Sequence, residues 1–141
     1  MLNGRVSVVP IGLGCIAFWD FAAAAPYVAI EMAGSTGSAN ASDPDRPLAH
    51  KDAVFISPHK LVGGPGTPGI LVVKRKLMTN AVPAMPGGGT VLYVNPQDHT
   101  FITDPQRREE GGTPAIVEAI RAGLVFKLQQ DVGIAKIEAN E

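Results

Sequence analysis

Hydrophobic positions along the chain fall into short blocks divided by small and polar residues. Cys15-Ile16-Ala17-Phe18-Trp19 is an unbroken apolar run closed by Asp20, a length that suits a buried β-strand. Val54-Phe55-Ile56 and Ile70-Leu71-Val72-Val73 flank a stretch rich in glycine and proline. That pattern predicts strands over 53–57 and 69–74 on either side of a stiff turn. Residues 91–94 and 100–103 read as a short hairpin or paired extended segments. The last block has a different period. Ile116, Ile120, Leu124 and Leu128, with Val117 and Phe126 alongside, repeat at helical spacing. Thr113 is a good N-cap, Pro114 suits the first helical position, and Gly133 stops the helix after Val132. The apolar face is expected to pack on the sheet. Glu118, Arg121, Lys127 and Asp131 lie mainly off it.

Two segments lack such a pattern. Pro10, Gly12 and Gly14 interrupt what would otherwise be a strand within residues 1–14, so this part is left as an uncertain N-terminal segment. Residues 33–47 form a proline-interrupted loop of small residues. Within that loop Asn40-Ala41-Ser42 fits a glycosylation sequon, which means little in a cytosolic chain. No internal repeat is evident. The element order predicts an α/β domain around a mostly parallel sheet flanked by helices, with any ligand at the strands' C-terminal ends.

Chemistry gathers at two of those ends. Ser57-Pro58-His59-Lys60 follows one strand and runs into Gly63-Gly64-Pro65-Gly66-Thr67-Pro68-Gly69. An amine and two hydrogen-bonding side chains thus stand beside backbone that a ligand can approach closely. A lysine leaving apolar surroundings is suited to Schiff-base chemistry, because desolvation favours its neutral amine. The plainer reading is a surface lysine after a buried strand. At the other end, Asp20 either caps the following turn or faces a cationic ligand atom. A lysine holding an aldehyde and a carboxylate keeping a pyridine nitrogen protonated are the pair that pyridoxal phosphate requires. Ala22 and Ala23 lack the bulk to block a flat ring.

Other chemistries fit less well. Gly64-Pro65-Gly66-Thr67-Pro68-Gly69 matches G-x-G-x-x-G, but a dinucleotide site needs a helix next, and Ile70-Leu71-Val72-Val73 reads as a strand. The segment lacks the Lys-Ser/Thr ending of a P-loop. His50, His59 and His99 have no ligand-like spacing, so no metal is expected.

Composition adds boundaries. With 141 residues and 45% apolar content, the chain has the size and core of one modest domain. A net charge of −1 gives no electrostatic case for nucleic acid or an anionic membrane. One cysteine excludes a disulfide framework, and Cys15, inside a predicted strand, reads as a buried and inert thiol. Arg5, an apolar stretch and Ala22 to Ala25 imitate a secretory signal, yet Asp20 and Pro26 interrupt the imitation. No run is long and apolar enough to span a bilayer. The expectation is a cytoplasmic domain, with an organelle as the alternative and secretion disfavoured.

The order of motifs resembles a known family. Asp20-Phe21-Ala22-Ala23, Ser57-Pro58-His59-Lys60, Gly63-Gly64-Pro65-Gly66, Gly87-Gly88-Gly89-Thr90 and Arg108-Glu109-Glu110-Gly111-Gly112-Thr113-Pro114 follow one another as in class V aminotransferases of fold type I. The similarity is greatest to the cysteine desulfurase and selenocysteine lyase branch and runs from about residue 15 to the end. The resemblance implies a pyridoxal 5'-phosphate enzyme acting on an amino acid through a lysine-bound internal aldimine. It implies Lys60 as the Schiff-base lysine and Asp20 as the acid on the pyridinium nitrogen. Ala22 corresponds to the small residue against the ring, and Ser57 and His59 to phosphate ligands. Thr90 corresponds to a residue reaching the phosphate of the neighbouring subunit, which implies a homodimer with a shared site and places the last helix near the interface. Ala23 stands where desulfurases often carry glutamine, and Pro58 replaces a small residue, a change expected to be tolerated.

Plainer roles stay open for several of these. His59 can be a structural histidine, and Thr90 with its glycines can be a turn that needs positive φ. Arg108, Glu109 and Glu110 can be a solvated cluster or a buried pair bracing a loop. A structural role is expected for Glu109 and Glu110. Family members are much longer, and the arginine that grips the substrate carboxylate and the sulfur-carrying cysteine have no counterpart here. Residues 15–141 are therefore expected to be part of the large domain of a longer enzyme. The alternative is a catalytically incomplete fragment with a non-enzymatic or dimer-pairing role.

Overall fold

The computed structural model describes residues 5–11, 14–32 and 51–140. The loop at 33–47, His50 and the side chain of Cys15 lie outside the described residues. Two compact units divide the chain, Met1–Val73 with Val117–Glu141, and Lys74–Ile116.

The first unit holds a four-stranded sheet in the order β1-β2-β3-β4. Its strands are β1 (Arg5–Ile11), β2 (Gly14–Asp20), β3 (Ala53–Ile56) and β4 (Ile70–Val73). The α/β class holds, but the expected mostly parallel sheet is mixed. β2 and β3 pair in parallel, whereas β1–β2 and β3–β4 are antiparallel. Connection length explains this. Antiparallel neighbours need only a short reversal, while a parallel pair needs a crossover of a dozen residues or more. β1 and β2 are joined by two residues, and the glycine-rich turn reverses the chain between β3 and β4. The strand that Pro10 was expected to interrupt does form. As the outer strand of the sheet it tolerates a residue that cannot donate to the ladder.

Asp52, missed in the sequence, sets the parallel register. Ala17 N donates to Asp52 Oδ2 at 3.1 Å, and Asp52 N donates to the Ala17 carbonyl at 3.0 Å. Asp52 is buried, as are Ala53 and Val54 directly after it. The core joins Val54 to Phe21, Ala24 and Ala25, with Trp19, Val28, Ile30, Met32 and Ile56 packed around them. Lys51 closes its rim. Its Nζ donates to the Glu31 carbonyl at 2.9 Å and sits 4.9 Å from the centre of the Trp19 ring, within cation–π range.

The long helix is α2 (Ile116–Val132), preceded by α1 (Pro105–Glu109) and followed by α3 (Ile134–Glu138). It starts after the predicted Thr113-Pro114 cap, and Gly133 ends it with φ 85°. Its apolar face does not pack on the sheet within this chain. Ile116, Ile120, Leu124 and Leu128 are exposed, while Ala122 and Val125 are buried. The small line of the helix faces inward, where it can approach backbone closely. A Cβ on Gly63 would lie 3.9 Å from Val125, and Gln129 Nε2 donates to the Pro26 carbonyl at 2.6 Å.

The second unit holds the hairpin of β5 (Val91–Val94) and β6 (His99–Phe101), as expected, together with α1. The Asp104 side chain accepts from Arg107 N at 2.9 Å, and Pro105 opens the helix. Asp-Pro is a legible helix start that the sequence reading passed over. No helix among the described residues is long and apolar enough to cross a membrane.

Candidate functional site

Because β2 and β3 are parallel, their C-terminal ends share one edge of the sheet. Asp20 lies opposite Phe55, and Phe21 N donates to the Phe55 carbonyl at 2.9 Å. Ser57 follows two residues beyond Phe55, roughly 7 Å along the strand and about 5 Å across from Asp20 at ordinary strand spacings. Asp20, Ala22, Ser57, His59 and Lys60 are thereby drawn to one edge.

Pro58, His59 and Lys60 form a 3-10 turn. Lys60 N donates to the Ser57 carbonyl and Leu61 N to the Pro58 carbonyl, both at 3.0 Å. Pro58 is buried at the first position of this turn, where its missing N–H costs nothing, in line with its expected tolerance. The Ser57 side chain does not cap the turn and is half-buried. His59 and Lys60 are exposed. The 3-10 turn carries Lys60 out beyond the end of β3.

The glycines after Lys60 have a packing explanation. A Cβ on Gly64 would come within 1.9 Å of the Pro58 carbonyl and 2.9 Å of His59 Cα. Thr67 N then donates to the Gly64 carbonyl at 3.0 Å across Pro65 and Gly66, and Gly66 has φ 84°. Proline followed by a positive-φ glycine is the signature of a type II turn. β4 comes directly after, so the helix that a dinucleotide fingerprint needs is replaced by a strand.

Asp20 Oδ1 accepts from Ala22 N at 2.7 Å and so caps the turn through residues 21–27. The capping role left open in the sequence is filled. Oδ2 has no hydrogen bond among the described residues. Ala22 is half-buried and Ala23 exposed.

Thr90 belongs to the second unit, and its side chain is fully buried. Its hydroxyl donates to the Gly87 carbonyl at 2.6 Å and accepts from Gly87 N at 3.3 Å, closing the triple-glycine turn in which Gly89 has φ 83°. In this unit Arg108 and Glu109 form a brace, one of the two roles left open for them. Arg108 is buried, and its Nη1 donates to the carbonyls of Ile102 at 3.3 Å and Thr103 at 3.4 Å. Glu109 accepts from Ala84 N at 3.0 Å and from the Asn80 amide, and lies 3.8 Å from Arg108 Nε. The Ala84 amide, then Asn80, and more weakly Arg108 hold its carboxyl below the ordinary 4.5 against the opposing effect of burial. Glu110 is exposed. No group of three metal-ligating side chains occurs among the described residues.

Known proteins match much of this chain. A probable cysteine desulfurase of Halobacterium salinarum is 34% identical over 90 residues, covering 64% of this chain and 21% of that protein. One from Pyrococcus abyssi is likewise 34% identical over 90 residues, 64% of this chain and 22% of the relative. The chain thus spans about a fifth of the length of the curated relatives it matches. Among solved structures, the apo cysteine desulfurase of Thermococcus onnurineus superposes with a TM-score of 0.55 at 28% identity, over 64% of this chain and 22% of that one. The Escherichia coli cysteine desulfurase CsdA shares the fold, with a TM-score of 0.60 at 24% identity over 85% of this chain and 26% of its own. The family model for aminotransferase class-V matches residues 37–141, from ahead of the lysine turn through α2 to the end. By that match the chain belongs to the class-V aminotransferase family.

Proposed function

We propose that this chain carries the lysine-bearing part of a pyridoxal-phosphate-dependent enzyme acting on an amino acid, either desulfurase-like or aminotransferase-like. The observation that carries the reading is the parallel β2–β3 pair, which sets Asp20 beside Ser57, His59 and Lys60 at one sheet edge. The residues fit the group. A hydroxyl, an imidazole and an amine suit a phosphate and an aldehyde, and a carboxylate on the adjacent strand suits a protonated ring nitrogen. Residues 15–141 are read as part of the large domain of such an enzyme, working as a cytoplasmic homodimer.

When bound, pyridoxal phosphate supplies an electron sink for charge developing at the substrate's α-carbon. Lys60 Nζ would hold the aldehyde carbon and, once displaced by the substrate's amino group, carry a proton to or from the α or β carbon. Asp20 is oriented through Oδ1 by Ala22 N, and its Oδ2 would keep the ring nitrogen protonated. Ser57 and His59 would bind phosphate oxygens, with Ala22 against the ring. Thr90 could reach a neighbouring subunit's phosphate only by releasing Gly87. Cysteine is the first substrate to test, because the relatives above are named as cysteine desulfurases.

The exposure of His59 and Lys60 favours a second reading, in which these residues lack the walls of a pocket and the chain serves as a pairing fragment. Borohydride trapping separates the two. The purified chain is incubated with pyridoxal phosphate and reduced, and the modified lysine is mapped by peptide mass spectrometry with Lys60→Ala as control. Selective labelling of Lys60 supports the cofactor site. Scattered or absent labelling of a chain that circular dichroism shows to be folded refutes it for this chain and favours the fragment.

A further inference from the structure

Arg121 stands over the lysine turn with no assigned role. A Cβ on Gly66 would come within 3.1 Å of Arg121 Nη1, so the guanidinium lies directly against the turn that follows Lys60. Val125, one helical turn further along α2, sits near Gly63 of the same turn. Val125 is buried and Arg121 exposed, so this line of α2 passes from the core out to the rim. Gly64 in turn packs on the Pro58 carbonyl and His59 Cα. One tight turn therefore separates the backbone of His59 from the arginine.

The turn itself offers Arg121 no counter-charge. Residues 57–69 contain His59 and Lys60 and no aspartate or glutamate. Arg121 makes no hydrogen bond or ion pair among the described residues, not even with Glu118 three positions earlier on the helix. A planar guanidinium presents paired N–H donors that match a carboxylate or a phosphate in two-point contact.

We propose that Arg121 is an oxyanion-receiving residue at the lip of the Lys60 turn, taking a phosphate or carboxylate group of the ligand held there. The assignment of that anion to a ligand rests on the reading of Lys60 above. The anion site itself stands on the geometry of Gly66 and Arg121.

Modification of the full chain by phenylglyoxal, mapped by peptide mass spectrometry, compares Arg121 with Arg75 and Arg107, which are also exposed. Inorganic phosphate and acetate, at matched ionic strength, are the two probes. Slower modification of Arg121 alone is expected, by about threefold at twice the dissociation constant of a single site. Protection by phosphate assigns a phosphate source, and protection by acetate assigns a carboxylate. An unchanged rate at Arg121, or equal slowing of all three arginines, overturns the proposal. The Lys60→Ala chain keeps the two claims apart. Protection of Arg121 that survives there, with no reductive labelling of Lys60 in the parent chain, refutes the lysine reading and leaves the anion site standing.

Discussion

Asp52 and Ala17 exchange two hydrogen bonds across the parallel strands, side chain to amide and amide to carbonyl. This exchange fixes which residue of β2 faces which residue of β3, and so sets Asp20 opposite Phe55. Asp52→Ala leaves the Ala17 amide without its acceptor. The expected loss is about 1–3 kcal/mol, the usual cost of stranding a buried polar group. Urea unfolding followed by the fluorescence of Trp19 measures it, and reductive labelling of Lys60 should fall with it. Unchanged stability would deny Asp52 its role in the register.

Asp20 performs two tasks that substitution can separate. Asp20→Ala removes both the cap on Ala22 N and the charge, with a stability loss of about 1 kcal/mol for the hydrogen bond. Asp20→Asn keeps an acceptor oxygen for Ala22 N, so its stability should stay within about 0.5 kcal/mol of the parent. Both variants should bind pyridoxal phosphate more weakly, as followed by absorbance titration. If Asp20→Asn binds as tightly as the parent, the carboxylate does not serve the ring nitrogen.

Glu109 should make the second unit acid-sensitive. Its carboxyl titrates lower folded than unfolded, so the stability it contributes is complete above the unfolded value near 4.5 and is lost as pH falls through the folded one. Hydrogen exchange at the Ala84 amide, which donates to Glu109, should quicken below pH 4.5 beyond the change seen at unrelated amides. Glu109→Gln should flatten that acid limb. An identical limb in the variant would locate the sensitivity elsewhere.

Two glycine substitutions should differ sharply. Gly64→Ala drives a methyl group into the Pro58 carbonyl, and the loss should reach about 3 kcal/mol or more, together with Lys60 labelling. Gly88→Ala meets nothing within 4 Å at a φ outside the positive range, and should cost less than about 1 kcal/mol. Thermal melts of the pair provide the comparison. Equal effects would mean that the lysine turn can shift away from His59.

What the sequence made legible was local. The strand ahead of Lys60, the glycine turn, the β5–β6 hairpin and the stop at Gly133 all follow from residues close in the chain. Strand direction was not legible, because pairing depends on connection lengths and on Asp52, a lone acid before a strand with no periodic signature. The inward line of α2 was misread for another reason. Its large apolar residues at four-residue spacing suggested the buried face, but residue size decided the contact. Ala122 and Val125 let the helix come close to the glycine turn, and Leu124 and Leu128 were left outside. The motifs around Lys60 and Asp20 were visible as separate strand ends. Their shared edge required the parallel pairing.

That parallel step also divides the folding of the first unit. The two antiparallel pairings join neighbours in the chain and can close as independent hairpins. β2 and β3 meet only after the span of chain from Phe21 to Asp52 has brought its ends together, the slower kind of event. Asp20 lies on one side of that seam, and Ser57 and Lys60 on the other. A small molecule gripping both sides would act as a clasp on the last-formed joint of the sheet. Its arrival would then be recorded as slower unfolding of the first unit as well as in any chemistry.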